Sequence, residues 1–97
     1  QLAVADVSFI SLTLVLPPMA GLLTDGGMIV ALIKPQFELS RAEVGRGGVV
    51  RDDGARQRAV DKIRDFAIRL GWSWGGVVDS PVAGADGNRE LLALLKP

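Results

Sequence analysis

The chain contains no cysteine and no histidine. The first absence excludes disulfides, thiolate nucleophiles and the common structural zinc sites. The second removes imidazole as a base or a metal ligand, and no metal is expected. An excess of one charge is missing too: 11 Lys+Arg face 11 Asp+Glu, for a formal net charge of zero. No whole-chain basic field is available to attract nucleic acid, which leaves only a local patch for that purpose. Long apolar runs are lacking as well. The longest, Phe9 to Leu23, is interrupted by Ser11, Thr13 and the Pro17-Pro18 pair, so it does not read as a bilayer span. No signal-peptide pattern is visible in these residues, and a cytoplasmic setting is the expectation. The chain opens on Gln1, without an initiator Met, and enters an apolar segment almost at once. That start reads as a piece of a longer protein.

What is present suits one globular unit or part of one. Ninety-seven residues with 48% hydrophobic content and a mean hydropathy of +0.31 can bury a core. Leu2 to Ala5 reads as a short buried strand that ends at Asp6. Leu12, Val15, Leu16, Met19, Leu22 and Leu23 recur at helical spacing, which predicts a helix within Ser8 to Leu23. Pro17 and Pro18 are awkward there and suit a first turn better, with Ser11 to Leu16 as a lead-in. Asp25-Gly26-Gly27 stops the helix. Met28 to Ile33 is a second apolar strand, so the first third is a βαβ unit with parallel strands.

Pro35 to Asp53 is a long polar segment of the kind that carries function. Asp52 or Asp53 caps the next helix, Ala55 to Leu70, whose apolar stripe is Ala59, Val60, Ile63, Phe66, Ala67 and Leu70. Trp72 to Val78 and Leu91 to Leu95 read as two further strands, joined without a helix and therefore antiparallel. The expected fold is an α/β sheet of two parallel strands plus a terminal antiparallel hairpin, served by two main helices.

The βαβ reading has a chemical consequence. Asp6 and Lys34 follow adjacent parallel strands, so both project from the carboxyl edge of the sheet. That edge is where open α/β sheets bind ligands. A lysine beside an acid there can act as a general base or donor; the bland explanation is a solvated strand-end ion pair. Ser8 and Ser11 lack a histidine to activate them and fit a helix start. Asp25-Gly26-Gly27 precedes a strand rather than a helix, so a plain turn explains it better than a phosphate loop. Trp72 and Trp74 share a face and suit core packing more than base stacking. Arg41, Arg46 and Arg51 in the long segment are either phosphate contacts or a solvated loop.

Four stretches together resemble the TlyA family of FtsJ-like ribosomal RNA 2'-O-methyltransferases, whose members also carry the label hemolysin A. They are ADVSFISL (Ala5 to Leu12), ALIKPQFE (Ala31 to Glu38), VGRGGVVRD (Val44 to Asp52) and SPVAGADGNRE (Ser80 to Glu90). The resemblance runs over essentially the whole chain. It implies that residues 1–97 are the C-terminal part of a Rossmann-like, S-adenosylmethionine-dependent methyltransferase domain. The Gly-rich cofactor loop and the S4 RNA-binding domain would then lie upstream. The family's Lys-Asp-Lys-Glu tetrad maps its Asp onto Asp6, its second Lys onto Lys34 and its Glu onto Glu90, and leaves its first Lys without a counterpart here. The resemblance also implies S-adenosylmethionine contacts at Asp6, Val7 and Ser8 and ribosomal RNA contacts at Arg41, Arg46 and Arg51. The partner it implies is ribosomal RNA within a ribosomal subunit.

Two other classes compete. A cytolysin acting on membranes is suggested by the hemolysin label. Against it, the helix over Ala55 to Leu70 mixes Asp61 and Asp65 with its basic residues, as an ordinary surface helix does. A non-catalytic α/β module for binding or assembly is the other, and an exposed sheet edge would suit a homodimer.

Overall fold

The computed structural model of the chain describes residues 2–6, 11–40, 44, 50, 52–81 and 88–97. Its elements are β1 (Leu2–Ala5), α1 (Leu12–Ala20), β2 (Met28–Ile33), α2 (Pro35–Glu38), α3 (Asp53–Arg69), β3 (Ser73–Asp79) and β4 (Leu91–Lys96). The four strands form one sheet in the order β1-β2-β4-β3. β1 and β2 are parallel, and the β3–β4 hairpin is antiparallel, as the sequence predicts. What the pattern of apolar runs does not reveal is the insertion of β4 between β2 and β3, antiparallel to both.

The first helix differs from its sequence reading. It starts at Leu12 rather than Ser8, and it is one helix with both prolines inside it. Pro17 and Pro18 lie on its exposed side. Their missing N–H groups deprive the Thr13 and Leu14 carbonyls of partners, and water on that side can satisfy them. The opposite side carries Leu12 and Leu16, both fully buried, with Met19 and Leu23 partly buried behind them. Gly21, not Asp25-Gly26-Gly27, is the residue at the C-cap. Asp25-Gly26-Gly27 forms a plain turn into β2, closed by Gly27 N–H donating to the Thr24 carbonyl at 3.0 Å.

Both long helices cover the same face of the sheet and touch each other. Strand alternation supplies that face: Ile29, Ala31 and Ile33 from β2 and Ala93 and Leu95 from β4 are buried against Leu12, Leu16, Ala59, Ile63 and Ala67. Each large aliphatic side chain so buried contributes roughly 1.5–3 kcal/mol. The other face carries no helix among the described residues, and Leu2, Val4 and Val78 stay more than half exposed on the strands. The two tryptophans follow the packing expectation: Trp72 and Trp74 are partly buried against the core. At Gly75 the backbone runs so close to Leu94 that a Cβ would meet its side chain at 2.9 Å, and the ladder shifts register between Trp74 and Gly76. Glycine permits that bulge.

Candidate active site

Lys34 owes its position to the proline that follows it. A residue before proline is pushed out of the helical region, and Lys34 is extended at φ −110°, ψ 98°. The alternation of β2 therefore continues through it. Ile29, Ala31 and Ile33 face the helices, so Val30, Leu32 and Lys34 belong to the helix-free face. Pro35 itself, pre-set for helical φ, begins the single turn of α2.

The parallel register carries β1 onto the same pattern. Val4 lies beside Val30 and Ala5 beside Ala31, so Leu2, Val4 and Asp6 share the face of Lys34. At the carboxyl end of the two strands, Lys34 Nζ sits 2.6 Å from Asp6 Oδ1. The lysine side chain is 13% exposed and the aspartate 57%. An ion pair with one partner this open contributes at most about 1 kcal/mol to stability. The arrangement makes better sense as a way of holding an amine at the edge of the sheet than as a brace.

Glu90 arrives from the other side. Leu91 of β4 pairs with Ile33, so the ladder, extended by one residue, sets Glu90 opposite Lys34. Glu90 is buried, at 7% exposure. Its Oε2 accepts from Gln36 Nε2 at 3.2 Å, and its carbonyl accepts from Ser80 N–H at 2.8 Å. Gln36 Oε1 is buried with no hydrogen-bond partner among the described residues. Of the residues expected at the site, Asp6 and Lys34 are thus in direct contact, and Glu90 is tied to the segment just beyond Lys34. Val7, Ser8, Arg41, Arg46 and Arg51 lie outside the described residues. Ser11 takes the helix-start role, accepting from Thr13 N–H at 3.1 Å.

Three polar residues escape a reading of the sequence. Gln36 is one. Glu38 is another, with its carboxylate buried between α1 and α3. The third is Asn88, 2% exposed, whose Oδ1 accepts from Val50 N–H at 2.8 Å. Arg56 of α3 donates to the Val50 carbonyl at 2.8 Å, so the Val50 backbone is bonded by Arg56 and by Asn88, two residues ahead of Glu90. All three sit within the stretches KPQFE and GNRE, two or four residues from Lys34 or Glu90. That proximity was the available signal.

A groove of about 550 Å³ lies elsewhere. It is an apolar hollow on the helix-free face lined by Val30, Gly75, Val77, Leu92 and Leu94. The charged cluster at the carboxyl edge, not this hollow, has groups able to move a proton.

The chain is similar to known proteins over nearly its whole length. A 16S/23S rRNA (cytidine-2'-O)-methyltransferase TlyA of Mycobacterium tuberculosis is 46% identical over 96 residues, 99% of this chain and 36% of the relative. Hemolysin A of Brachyspira hyodysenteriae is 41% identical over 93% of this chain and 38% of that protein. The crystal structure of a candidate hemolysin from Lactococcus lactis superposes with a TM-score of 0.92 at 44% identity, covering 98% of this chain and 45% of that one. The chain therefore spans little more than a third of the curated relatives it matches. Among the described residues no helix is long and apolar enough to cross a membrane. The sequence model of the FtsJ-like methyltransferase family matches residues 1–96, and the chain belongs to that family.

Proposed function

We propose that this chain is the C-terminal part of a methyltransferase domain whose whole protein methylates ribose 2'-hydroxyls of ribosomal RNA. The observation that supports the reading best is the Lys34–Asp6 pair, at 2.6 Å on the carboxyl edge of the sheet with Glu90 across the ladder. The methyl donor is S-adenosylmethionine, which supplies an electrophilic methyl carbon on a sulfonium. The chain's own residues fit part of that group: the half-open Asp6 carboxylate offers negative charge to a cation at this edge. The rest of the donor would be held outside these 97 residues.

A ribose hydroxyl is a weak nucleophile, and its attack on carbon must be in line. The protein's task is to orient the oxygen and to remove its proton. Lys34 orients the 2'-oxygen or takes its proton. Asp6 holds the Lys34 amine in place from the open side. Glu90, itself held by Gln36, flanks the lysine on the β4 side. Arg41, Arg46 and Arg51 contact RNA phosphates, and the protein works in the cytoplasm on a ribosomal subunit. In the isolated 97 residues, β1 is an edge strand of the sheet and offers a pairing edge for a homodimer. Light scattering at rising concentration would show a species of twice the mass.

The decisive experiment is Lys34→Ala in the full-length enzyme. Methyl transfer to ribosomal RNA should fall by about 10²–10⁴-fold, the usual contribution of a positioned acid or base. Binding of S-adenosylmethionine should persist. Turnover near that of the unaltered enzyme would remove Lys34 from the mechanism. Leakage of dye from liposomes, without methyl transfer, would replace the reading with a cytolysin.

A further inference from the structure

Glu38 has no part in the chemistry above, and the hydrophobic core has no use for a charge. Its side chain is nevertheless only 2% exposed. Burying a carboxylate is costly unless donors surround it. Three do. Ser11 Oγ donates to Oε1 at 2.7 Å, Leu12 N–H to Oε2 at 2.8 Å, and Lys62 Nζ approaches Oε1 at 3.1 Å. Lys62 also donates to the Glu38 carbonyl at 2.9 Å.

The position of this cluster matters as much as its satisfaction. Glu38 ends α2, the single turn that Lys34 opens. Ser11 and Leu12 begin α1, on the segment that leaves β1 through Asp6. One buried carboxylate therefore ties the segment after β1 to the segment after β2. The Asp6–Lys34 contact joins the same two segments nearer the strands. The two links close a ring. The β ladder alone does not fix that ring, because the β1–β2 pairing ends at Ala5 and Ala31, three residues short of Lys34. Capping α1 would not require this arrangement, since the Ser11 side chain already accepts from Thr13 N–H. A cap also has no need of a lysine from a third element.

We infer that Glu38 is a positioning residue: through Ser11, Leu12 and Lys62 it sets the spacing of Asp6 and Lys34, and so the geometry in which Lys34 meets its substrate. The inference rests on the proposed role of Lys34. A displacement of about 1 Å in such a group can cost on the order of a hundredfold in rate.

The test uses Glu38→Gln in the full-length enzyme, which keeps the size of the side chain but removes its charge and one acceptor. Assayed well below its Tm, this variant should lose roughly 10- to 100-fold in kcat. KM for RNA and the affinity for S-adenosylmethionine should stay within about twofold. Placed on a Lys34→Ala background, Glu38→Gln should cause no further loss, because no amine remains to be positioned. Ser11→Ala removes a single donor and should give a smaller fall in kcat of the same kind, which keeps the inference testable if Glu38→Gln folds poorly. A lowered Tm with unchanged kcat would make the cluster a structural staple only and overturn the inference. So would an equal rate loss with and without Lys34. Full activity of Lys34→Ala alone would sink the functional reading instead, and is a separate outcome.

Discussion

Two lysine–carboxylate pairs lie four residues apart along the same segment, and they are built in opposite senses. In Lys34–Asp6 the lysine is the sheltered partner, 13% exposed, and the aspartate is open at 57%. In Lys62–Glu38 the carboxylate is sheltered, 2% exposed, and the lysine is open at 41%. The buried member decides what each pair is for. Glu38 has every oxygen engaged by groups from α1 and α3, so it resists exchange and holds elements together. Lys34 is held at the sheet edge by a partner that water reaches, where a substrate can reach it too. The same two functional groups suit the proposed chemistry in one place and a scaffold in the other.

The contrast can be broken in order of effect. Lys34→Ala should give the largest change in rate, about 3–5 kcal/mol in activation free energy for the 10²–10⁴-fold loss. Its thermal melt should move little, because the aspartate left behind is open to solvent. A large drop in Tm would mean that the two pairs do not differ as described.

Glu38→Ala should show the largest change in stability. It strands the Leu12 N–H and takes one partner each from the Ser11 hydroxyl and the Lys62 ammonium, at a cost of about 2–3 kcal/mol by urea denaturation. Lys62→Met should cost less, about 1 kcal/mol, because Lys62 is partly solvated and Ser11 and Leu12 still bind the carboxylate. Equal losses for the two variants would show that the ion pair, and not the links to α1, carries the effect.

The smallest effect belongs to an exposed carboxylate, Asp53, paired with Arg56. A hydrogen bond from Arg56, and then its charge, hold the Asp53 carboxyl below its ordinary value of 3.8. A depressed acid contributes stability above the unfolded value and loses it as pH falls through the folded one. The unaltered protein should therefore exceed Asp53→Asn slightly in Tm above about pH 4. The advantage should fade as pH drops below that. A difference that grew on acidification would contradict the assignment.

Much of the architecture was readable because it is local. Met28 to Ile33 and Leu2 to Ala5 are short apolar runs between turn signals, and their strands follow. The Ala55 to Leu70 stripe marked α3 within two residues at its N-terminus. Asp6 and Lys34 were legible as neighbours because parallel strands must present their carboxyl ends together. The prolines misled: Pro17 and Pro18 look like breakers, yet they ride the solvent side of α1, where lost hydrogen bonds are easily replaced. The resemblance of the quoted stretches to FtsJ-like methyltransferases was also legible, and the family match over residues 1–96 bears it out.

By itself, then, the sequence determined the four strands and the presence of the two long helices, the βαβ start, the joint placement of Asp6 and Lys34, and the family, but not the turn of α2. Spacing and composition carry those, since each depends on residues near one another in the chain or on one topological rule. Only the tertiary structure decided that β4 enters between β2 and β3, which is what puts Glu90 across from Lys34. It alone buried Glu38 against Ser11, Leu12 and Lys62, residues 27, 26 and 24 positions away. The free energy of a buried carboxylate depends on donors that distant parts of the chain bring to it, and no local pattern records their arrival.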